Sequence, residues 1–331
     1  MSELRFYVTG PIPDPGLPLL RAAGSVELPD DPPDAAALRQ ACESGDYDVI
    51  VAQVRDPFDA DLLRTAKIRG ISNFAVGYDN IDVPAATANS VMVGNTPDVL
   101  TDATADIAML LMLAVGRRAV EADTFVRTGG FSGWKPDMFL GCDISGRTLG
   151  LAGFGRIGRA TARRALAFNM EVLFCPRPPG DRHVSDDELG EFAGRVRHTS
   201  WDELVAASDY LSLHVPLKPD THHLVNVDVL RAMKPTAVLI NTARGPVVDE
   251  DALVAALESG EIGGAGLDVY ENEPRLAAGL AELPNTVLLP HIGSATVSVR
   301  AAMARLCAEN AIAMAQSVVP PHPVNPEAWQ A

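Results

Sequence analysis

Three short segments of the sequence each place an ionisable side chain directly after an apolar run. NTARGPVV presents Arg244, LDVYENEP presents Glu271 and Glu273, and LLPHIG presents His291. A guanidinium binds carboxylates, and an imidazole beside a carboxylate can exchange a proton with a carbonyl oxygen. The apolar runs predict parallel strands, whose carboxyl ends line the ligand crevice of an open sheet, so we expect one shared site. Taken singly, each group also has a structural alternative as a surface cation, a solvated turn or a capping imidazole.

A glycine-rich turn upstream indicates a dinucleotide site. Residues 148–158, TLGLAGFGRIG, form an apolar strand followed by the spacing G-x-G-x-x-G, and a helical pattern comes next. Gly153 permits a tight turn, Gly155 lets the backbone approach a pyrophosphate, and Gly158 allows close packing of helix on sheet. The alternative is that the glycines only end a strand. The turn residues expected to contact the cofactor are Gly153, Phe154, Gly155, Arg156, Ile157 and Gly158.

The end of the next strand, EVLFC, distinguishes the two nicotinamide dinucleotides. An Asp or Glu there would accept hydrogen bonds from a ribose 2′-hydroxyl, but the strand is followed by Pro176 and Arg177. A guanidinium suits a 2′-phosphate. We therefore predict NADPH as the preferred cofactor, with NADH possible. The alternative is that Arg177 is a solvated loop residue and Pro176 a strand terminator.

Composition excludes several classes of partner. The 331 residues carry a formal net charge of -16, which repels nucleic acid and anionic membrane surfaces. The four cysteines are scattered without metal-ligand spacing, and we expect them to be reduced thiols. The first residues lack a signal-peptide pattern and no apolar run is long enough for a membrane span, so we expect a cytoplasmic protein.

The order of patterns predicts an α/β fold. Strand patterns at residues 4–10 and 48–54 alternate with helical ones, and from Thr148 the order strand, glycine turn, helix, strand repeats. The segment Thr101 to Arg118 predicts a capped helix that is too apolar for a surface, so we expect burial between domains or subunits.

The chain closely resembles the D-isomer-specific 2-hydroxyacid dehydrogenase family, and within it the glyoxylate/hydroxypyruvate reductases. The likeness spans nearly the whole chain. It rests on AVGYDNID, NTPDVLTDATAD, GWKPDMFLG, GFGRIG, HVPLKPDTHHLVN, NTARGPVVDEDAL, LDVYENEP and PHIGSAT. It implies reduction of small 2-keto acids such as glyoxylate and hydroxypyruvate to D-2-hydroxy acids, in a homodimer.

The resemblance also implies an architecture. We expect two doubly wound, Rossmann-like or flavodoxin-like parallel-sheet domains with an active-site cleft between them. Residues 1–98 with 295–331 form the substrate domain, and residues 99–294 the dinucleotide-binding domain.

Position by position, the resemblance assigns roles to the ionisable groups. Arg244 clamps the substrate carboxylate, His291 is the acid/base, and Glu273, directly before proline, is its partner. It places the backbone N–H groups of Val76 and Gly77 on the substrate carboxylate. Trp134 would reach a neighbouring subunit, or would simply anchor a loop. The remaining expected cofactor contacts are Thr104, His214, Val215, Pro216, Thr242, Ala243, Asp268 (near the nicotinamide amide) and Gly293. Apart from the expected cofactor contact of His214, the histidines other than His291 are expected to be structural or surface residues.

Several alternatives concern the substrate. Val54 and Arg55 correspond to the loop facing the substrate side chain; Val54 suggests a short substrate, and Arg55 either meets a polar group or points to solvent. A larger keto acid, such as 2-ketogluconate or an aromatic one, is the main alternative. Phosphite dehydrogenase is less favoured because that class carries a Lys where this chain has Val76. A non-enzymatic NAD(H)-sensing corepressor would not need Arg244, Glu273 and His291.

Overall fold

The structure is a computed structural model that describes residues 3–330. It divides into two compact units. One runs to Leu100 and resumes at Ser294, and the other comprises Thr101–Gly293. Each unit is built on its own parallel sheet with helices, so the expected α/β fold of two parallel-sheet units is confirmed.

The elements of the described chain alternate as the sequence patterns predict. In chain order the strands are β1 (Leu4–Val8), β2 (Gly24–Glu27), β3 (Val49–Ala52), β4 (Gly70–Asn73), β5 (Met92–Gly94), β6 (Thr148–Ala152), β7 (Glu171–Cys175), β8 (Arg197–His198), β9 (Tyr210–Leu213), β10 (Val238–Asn241), β11 (Gly264–Leu267) and β12 (Thr286–Leu288). The α-helices are α1 (Gly16–Ala23), α2 (Ala35–Ser44), α3 (Ala60–Thr65), α4 (Val83–Ala88), α5 (Thr101–Gly116), α6 (Ala119–Arg127), α7 (Arg156–Ala167), α8 (Asp186–Leu189), α9 (Trp201–Ala207), α10 (Val227–Ala232), α11 (Glu250–Ser259) and α12 (Val297–Ala315).

The smaller unit is a five-stranded sheet in the order β2-β1-β3-β4-β5, with every pairing parallel. The chain leaves β1 to one side for β2 and then crosses to the other side for β3. The carboxyl ends of β1 and β3 therefore form the switch point at which open sheets bind ligands. Thr9, Val54 and Arg55 follow these two strands.

The larger unit is a seven-stranded parallel sheet in the order β12-β11-β10-β9-β6-β7-β8. The order reverses between β6 and β9, because β7 and β8 lie on one side of β6 and the later strands on the other. The glycine turn after Ala152 and the segment from His214 follow these two strands, which places both at the switch point.

The two longest helices, α5 and α12, each pack against the sheet of one unit. We expected α5 to lie between domains or subunits. Instead most of its apolar residues are buried inside the larger unit, against α7 and strands β10 and β11. Leu110 is an exception and stays 48% exposed. Helix α12 packs on α1, β3 and β4 of the smaller unit, burying Met303, Cys307 and Met314.

Side-chain caps fix where several helices begin. Asp34 accepts the N–H of Ala37 at 2.8 Å, and Asp249 accepts the N–H of Ala252 at 3.0 Å. Each cap satisfies a backbone donor that has no partner within its helix. Among residues 3–330, no helix combines the length and apolarity needed to cross a membrane.

Candidate active site

The three ionisable segments come together because their strands are neighbours. β10, β11 and β12 lie side by side in parallel, so the loops that follow them leave the same edge of the larger sheet. Arg244 follows β10, Glu273 follows β11 and His291 follows β12. The edge thus collects a cation, a carboxylate and an imidazole.

His291 and Glu273 form a directly bonded pair. Nδ1 of His291 lies 3.0 Å from Oε2 of Glu273, and both side chains are about one-third exposed. The other glutamate of the segment, Glu271, is bonded to His223 instead, at 2.7 Å. His291 has a φ of 55°, in the left-handed region that a non-glycine residue enters at an energetic cost. The Glu273 bond engages Nδ1 and leaves Nε2 for another partner.

Electrostatics keep Glu273 ionised. Burial works to raise the pKa of Glu273, but the hydrogen bond to His291, the charge of His291, the N–H of Tyr270 and the charge of Arg244 together outweigh it. The net result is a pKa below the ordinary value for Glu. The positive charge of Arg244 is the smallest of these effects on the pKa of Glu273.

The turn that carries Arg244 is fixed from both sides. The Asn241 side chain donates to the carbonyl oxygen of Arg244 at 2.8 Å and accepts the N–H of Ala243 at 3.0 Å. A Cβ on Gly245 would overlap the carbonyl group of Tyr270, so only glycine fits there. The Arg244 turn is therefore packed directly against the segment that leads to Glu273.

Asp268 fixes the loop that carries His291. Its side chain is buried, and its two carboxylate oxygens accept the N–H groups of Ile292 and Gly293, each at 2.7 Å. Burial raises the pKa of Asp268, while these two bonds lower it in part. The resemblance placed Asp268 near the nicotinamide amide; in the structure both of its oxygens are engaged within the protein. Thr104 donates to the carbonyl oxygen of Gly293 at 3.3 Å.

The glycine turn has the form of a dinucleotide cradle. Gly153 has a φ of 96°, and a Cβ there would lie 2.6 Å from the carbonyl oxygen of His214. A Cβ on Gly158 would overlap the carbonyl oxygen of Gly153. A Cβ on Gly155, by contrast, would meet nothing within 4 Å, and Gly155 is the N-cap of α7, whose positive dipole end favours an anion. The turn is therefore packed from behind and open in front.

A buried hydroxyl near this turn lacks a partner. Oγ1 of Thr242, at the end of β10, is buried and has no hydrogen bond among the described residues. Such a group normally finds a partner, and a bound ligand would supply one. The neighbouring His214 bonds Ser212 at 3.0 Å, and burial lowers its pKa to about 4, so it is neutral at pH 7. His214 itself lies against the glycine turn, because a Cβ on Gly153 would lie 2.6 Å from its carbonyl oxygen.

The other expected cofactor residues differ in exposure. Phe154 is buried, stacks on Phe174 at 4.1 Å, and lies beneath the guanidinium of Arg159. Arg156 is exposed in the first turn of α7. The remaining positions divide into buried Val215, partly buried Ile157 and Ala243, and exposed Pro216.

In the loop after β7, the first cation is exposed and the first carboxylate is hydrogen-bonded within the protein. Pro176 is partly buried and Arg177 is exposed, in a turn that Arg177 closes by pairing with Gly180. Asp181 is the first acid after the strand, and its carboxylate is bonded to His198 at 2.7 Å. The loop therefore offers a guanidinium to a ligand at the end of β7.

In the smaller unit, asparagines hold the Val76–Gly77 backbone. Asn95 donates to the carbonyl oxygen of Val76 at 2.8 Å, and Asn73 donates to that of Gly77 at 2.9 Å. Asn80, whose amide bonds the Asp56 carbonyl oxygen at 2.9 Å, contacts Asn73 at 3.2 Å. Sequence reasoning missed these positioning residues, although polar residues directly after apolar strands are a usable signal. Within the described chain, the N–H groups of Val76 and Gly77 have no acceptor.

Arg55 is tied to the switch point of the smaller sheet. Its guanidinium donates to the carbonyl oxygen of Thr9 at 3.2 Å and lies 3.7 Å from the buried carboxylate of Asp56, although the side chain is 46% exposed. Asp56 in turn accepts the Thr9 hydroxyl at 2.5 Å. Val54 is 38% exposed. Arg55 is thus both anchored and accessible.

Trp134 lies in a segment that leaves much apolar surface uncovered. Its side chain is 81% exposed, and Phe131 and Leu140 are more than half exposed. Phe139 packs on Phe125 at 5.2 Å, which gives the segment some internal contacts. In the single chain Trp134 does not act as a half-buried anchor.

The chain belongs to the D-isomer specific 2-hydroxyacid dehydrogenase family, as the sequence resemblance predicted. The family model described as "D-isomer specific 2-hydroxyacid dehydrogenase, NAD binding domain" matches residues 109–293. The chain is 45% identical to a glyoxylate reductase of Thermococcus litoralis over 97% of this chain and 96% of that protein.

Solved structures show the same relationship. A glyoxylate reductase from Paecilomyes thermophila superposes with a TM-score of 0.86 at 34% identity, over 98% of this chain and 99% of that chain. An NADPH-dependent glyoxylate/hydroxypyruvate reductase from Sinorhizobium meliloti, in complex with NADP and malonate, gives 0.84 at 36% identity over 98% of each chain. The chain is therefore an enzyme of this family.

Proposed function

We propose that the protein reduces small 2-keto acids, glyoxylate and hydroxypyruvate, to the D-2-hydroxy acids glycolate and D-glycerate, with NADPH as the preferred reductant. The observation that carries this proposal is the hydrogen-bonded pair of His291 and Glu273. The positive charge of Arg244 helps to keep the carboxylate of this pair ionised. Relatives named as glyoxylate reductases support the choice of substrate.

The residues present fit a nicotinamide dinucleotide. The open face of Gly155 and the first turn of α7 would hold the pyrophosphate, and Thr242 would gain a hydrogen bond. When bound, the nicotinamide supplies a hydride to the keto carbon.

The proton and the charge are handled by the protein itself. Arg244 binds the substrate carboxylate, and the N–H groups of Val76 and Gly77 are proposed to bind it as well. His291 donates a proton from Nε2 to the keto oxygen, because Nδ1 is held by Glu273. Arg244 and the imidazolium stabilise the negative charge that develops on that oxygen. Reduction requires protonated His291 and oxidation requires the neutral form, so the two directions have opposite pH dependence.

Preference for NADPH is proposed from the loop after β7. Exposed Arg177 would pair with a 2′-phosphate, and Asp181, bonded to His198, would not compete for a ribose hydroxyl. A relative that is described as NADPH-dependent supports this assignment.

Substrate size and assembly complete the proposal. Val54 leaves little apolar surface for a long substrate side chain, and Arg55 would contact a hydroxyl group of hydroxypyruvate.

The two compact units would serve as substrate domain and coenzyme domain. The exposed surface around Trp134 is proposed to be covered by a second copy in a homodimer.

One panel of assays tests the proposal. Purified protein is mixed with NADPH or NADH and with glyoxylate, hydroxypyruvate, 2-ketogluconate, pyruvate or phenylpyruvate, and loss of reduced cofactor is followed. We expect the highest kcat/KM with NADPH and glyoxylate or hydroxypyruvate. A clear preference for 2-ketogluconate or phenylpyruvate would overturn the substrate assignment.

Arg177→Ala tests the cofactor assignment. Loss of one charge-assisted phosphate contact should raise the KM for NADPH about tenfold and leave that for NADH unchanged. Exposed Arg275, in a loop outside the cofactor turn, provides the control Arg275→Ala. An equal effect on both cofactors would show that Arg177 does not read the 2′-phosphate.

A further inference from the structure

A second group of ligating side chains lies on loops that the proposed reaction does not use. His222 and His223 follow β9, and Glu271 follows β11. The two imidazole rings stack with their centroids 4.1 Å apart, and Nε2 of His223 lies 2.7 Å from Oε1 of Glu271. One ligand atom from each residue can be chosen so that all three lie within 4.8 Å of one another.

The backbone holds these side chains in place. His223 has a φ of 49°, in the left-handed region, and its N–H donates to the carbonyl oxygen of Pro246 at 2.8 Å. The N–H of Glu271 donates to the buried carboxylate of Glu250 at 2.6 Å. The two loops that carry the cluster are thus fixed before any ligand arrives, which lowers the cost of assembling a site.

Charge and access both suit a cation. His222 is exposed, and the side chains of His223 and Glu271 are 33% and 23% exposed, so solvent reaches the cluster. Asp249 adds a second carboxylate 3.9 Å from Nδ1 of His223. Zn²⁺ and other divalent transition-metal ions bind readily to two imidazoles and a carboxylate, whereas Mg²⁺ and Ca²⁺ prefer oxygen ligands alone.

We infer that His222, His223 and Glu271 form a binding site for a divalent transition-metal ion such as Zn²⁺. A tetrahedral ion with bonds of about 2.1 Å needs ligand atoms about 3.4 Å apart. The ligand atoms lie within 4.8 Å of one another, so binding requires the exposed His222 ring to turn and close this spacing. The ion then replaces the hydrogen bond between His223 and Glu271.

The bound ion cross-links two loops. It joins the loop after β9, which continues from the expected cofactor segment, to the loop after β11, which continues to Glu273. The ion takes no part in proton transfer, because His291 is bonded to Glu273 and not to Glu271. Its binding therefore stabilises the fold and can be measured without any assay of the reaction.

Isothermal titration of the untagged, chelator-treated protein with ZnCl₂ tests the inference. We expect one tight site per chain and a rise in Tm with saturating Zn²⁺. His222→Gln and Glu271→Gln should each weaken binding at least about tenfold and reduce the Tm rise at the same Zn²⁺ concentration, because the two remaining ligands hold zinc poorly. His183→Gln removes an exposed histidine from outside the cluster and should bind Zn²⁺ like the parent.

Folding defects are separated from ligand loss by measuring Tm and circular dichroism of each variant without metal. His222 is exposed, so His222→Gln should match the parent in both. With Co²⁺ in place of Zn²⁺, the parent should show the visible absorption of a low-coordinate site, and His222→Gln should lose it. Zn²⁺ affinity unchanged in both cluster variants, or absence of a tight site in the parent, would overturn the inference.

Discussion

Nδ1 of His291 lies 3.0 Å from Oε2 of Glu273, and the positive charge of Arg244 helps to lower the pKa of the same carboxylate. The pair joins residues 18 positions apart, from loops after two neighbouring strands. This contact fixes the orientation of the imidazole ring.

Replacing Glu273 by Gln should change the pH profile of reduction. The pKa of Glu273 lies below its ordinary value, so the carboxylate is charged from mildly acidic pH upward and its stabilising effect fades only as the pH falls through that lowered value. Gln has no ionisable group, so the fall in kcat/KM that follows protonation of Glu273 at acidic pH should be absent from the variant, and kcat/KM near neutral pH should be lower by about tenfold. Glu258→Gln, on the exposed face of α11, is the control. An acidic decline that persists unchanged in Glu273→Gln would exclude Glu273 as the partner of His291.

Asp268→Asn should loosen the His291 loop. The carboxylate accepts two backbone N–H groups, whereas an amide oxygen can accept only from one side while its NH₂ group faces the other donor. We expect a loss of about 1–3 kcal/mol in the free energy of unfolding and a lower kcat with little change in the KM for NADPH. Denaturant unfolding and steady-state kinetics measure the two effects. Full stability in this variant would contradict the positioning role.

Alanine at two glycines of the turn should affect different properties. Gly155→Ala should weaken cofactor binding, whereas Gly153→Ala should lower stability. Gly155→Ala places a methyl group in open space, so stability should hold while the KM for NADPH rises at least about tenfold by obstruction of the phosphate approach. Gly153→Ala forces alanine into a φ of 96° against the His214 carbonyl oxygen and should cost about 1–3 kcal/mol of stability. Thermal unfolding and cofactor titration distinguish them. Normal cofactor affinity in Gly155→Ala would argue against a pyrophosphate at this turn.

Asn95→Ala should weaken substrate binding without touching the cofactor. The amide of Asn95 donates to the Val76 carbonyl oxygen at 2.8 Å and so fixes the backbone whose N–H groups are proposed to bind the substrate carboxylate. We expect the KM for glyoxylate to rise about tenfold, equivalent to about 1.4 kcal/mol, with the KM for NADPH unchanged. Asn89→Ala removes a comparable bond, to the carbonyl oxygen of Ala85 in α4, and is the matched control. Equal effects of the two variants would assign Asn95 a purely structural role.

Much of the fold follows from the sequence because buried parallel strands are continuous apolar runs. β3 and β6 are almost wholly buried, and the strand patterns at residues 48–54 and from Thr148 place them within two residues. The shorter edge strands β2 and β8 were not anticipated. β2 alternates weakly between partly buried and exposed residues, and β8 has two residues, so neither carries a pattern long enough to recognise.

The sequence by itself determined the glycine turn, the three ionisable segments and the family, because local spacing and residue type suffice for each. Residue spacing alone leaves Glu271 and Glu273 equally placed after β11, and the family resemblance assigns Glu273 to His291. Only the tertiary structure shows the partner of the other glutamate, because the path of the loop brings Glu273 to His291 and Glu271 to His223. The same holds for Asp268, Asn95 and the histidine cluster. Their partners lie 25, 19 and 48 residues away along the chain, and only the packing of neighbouring strands and loops brings such groups together.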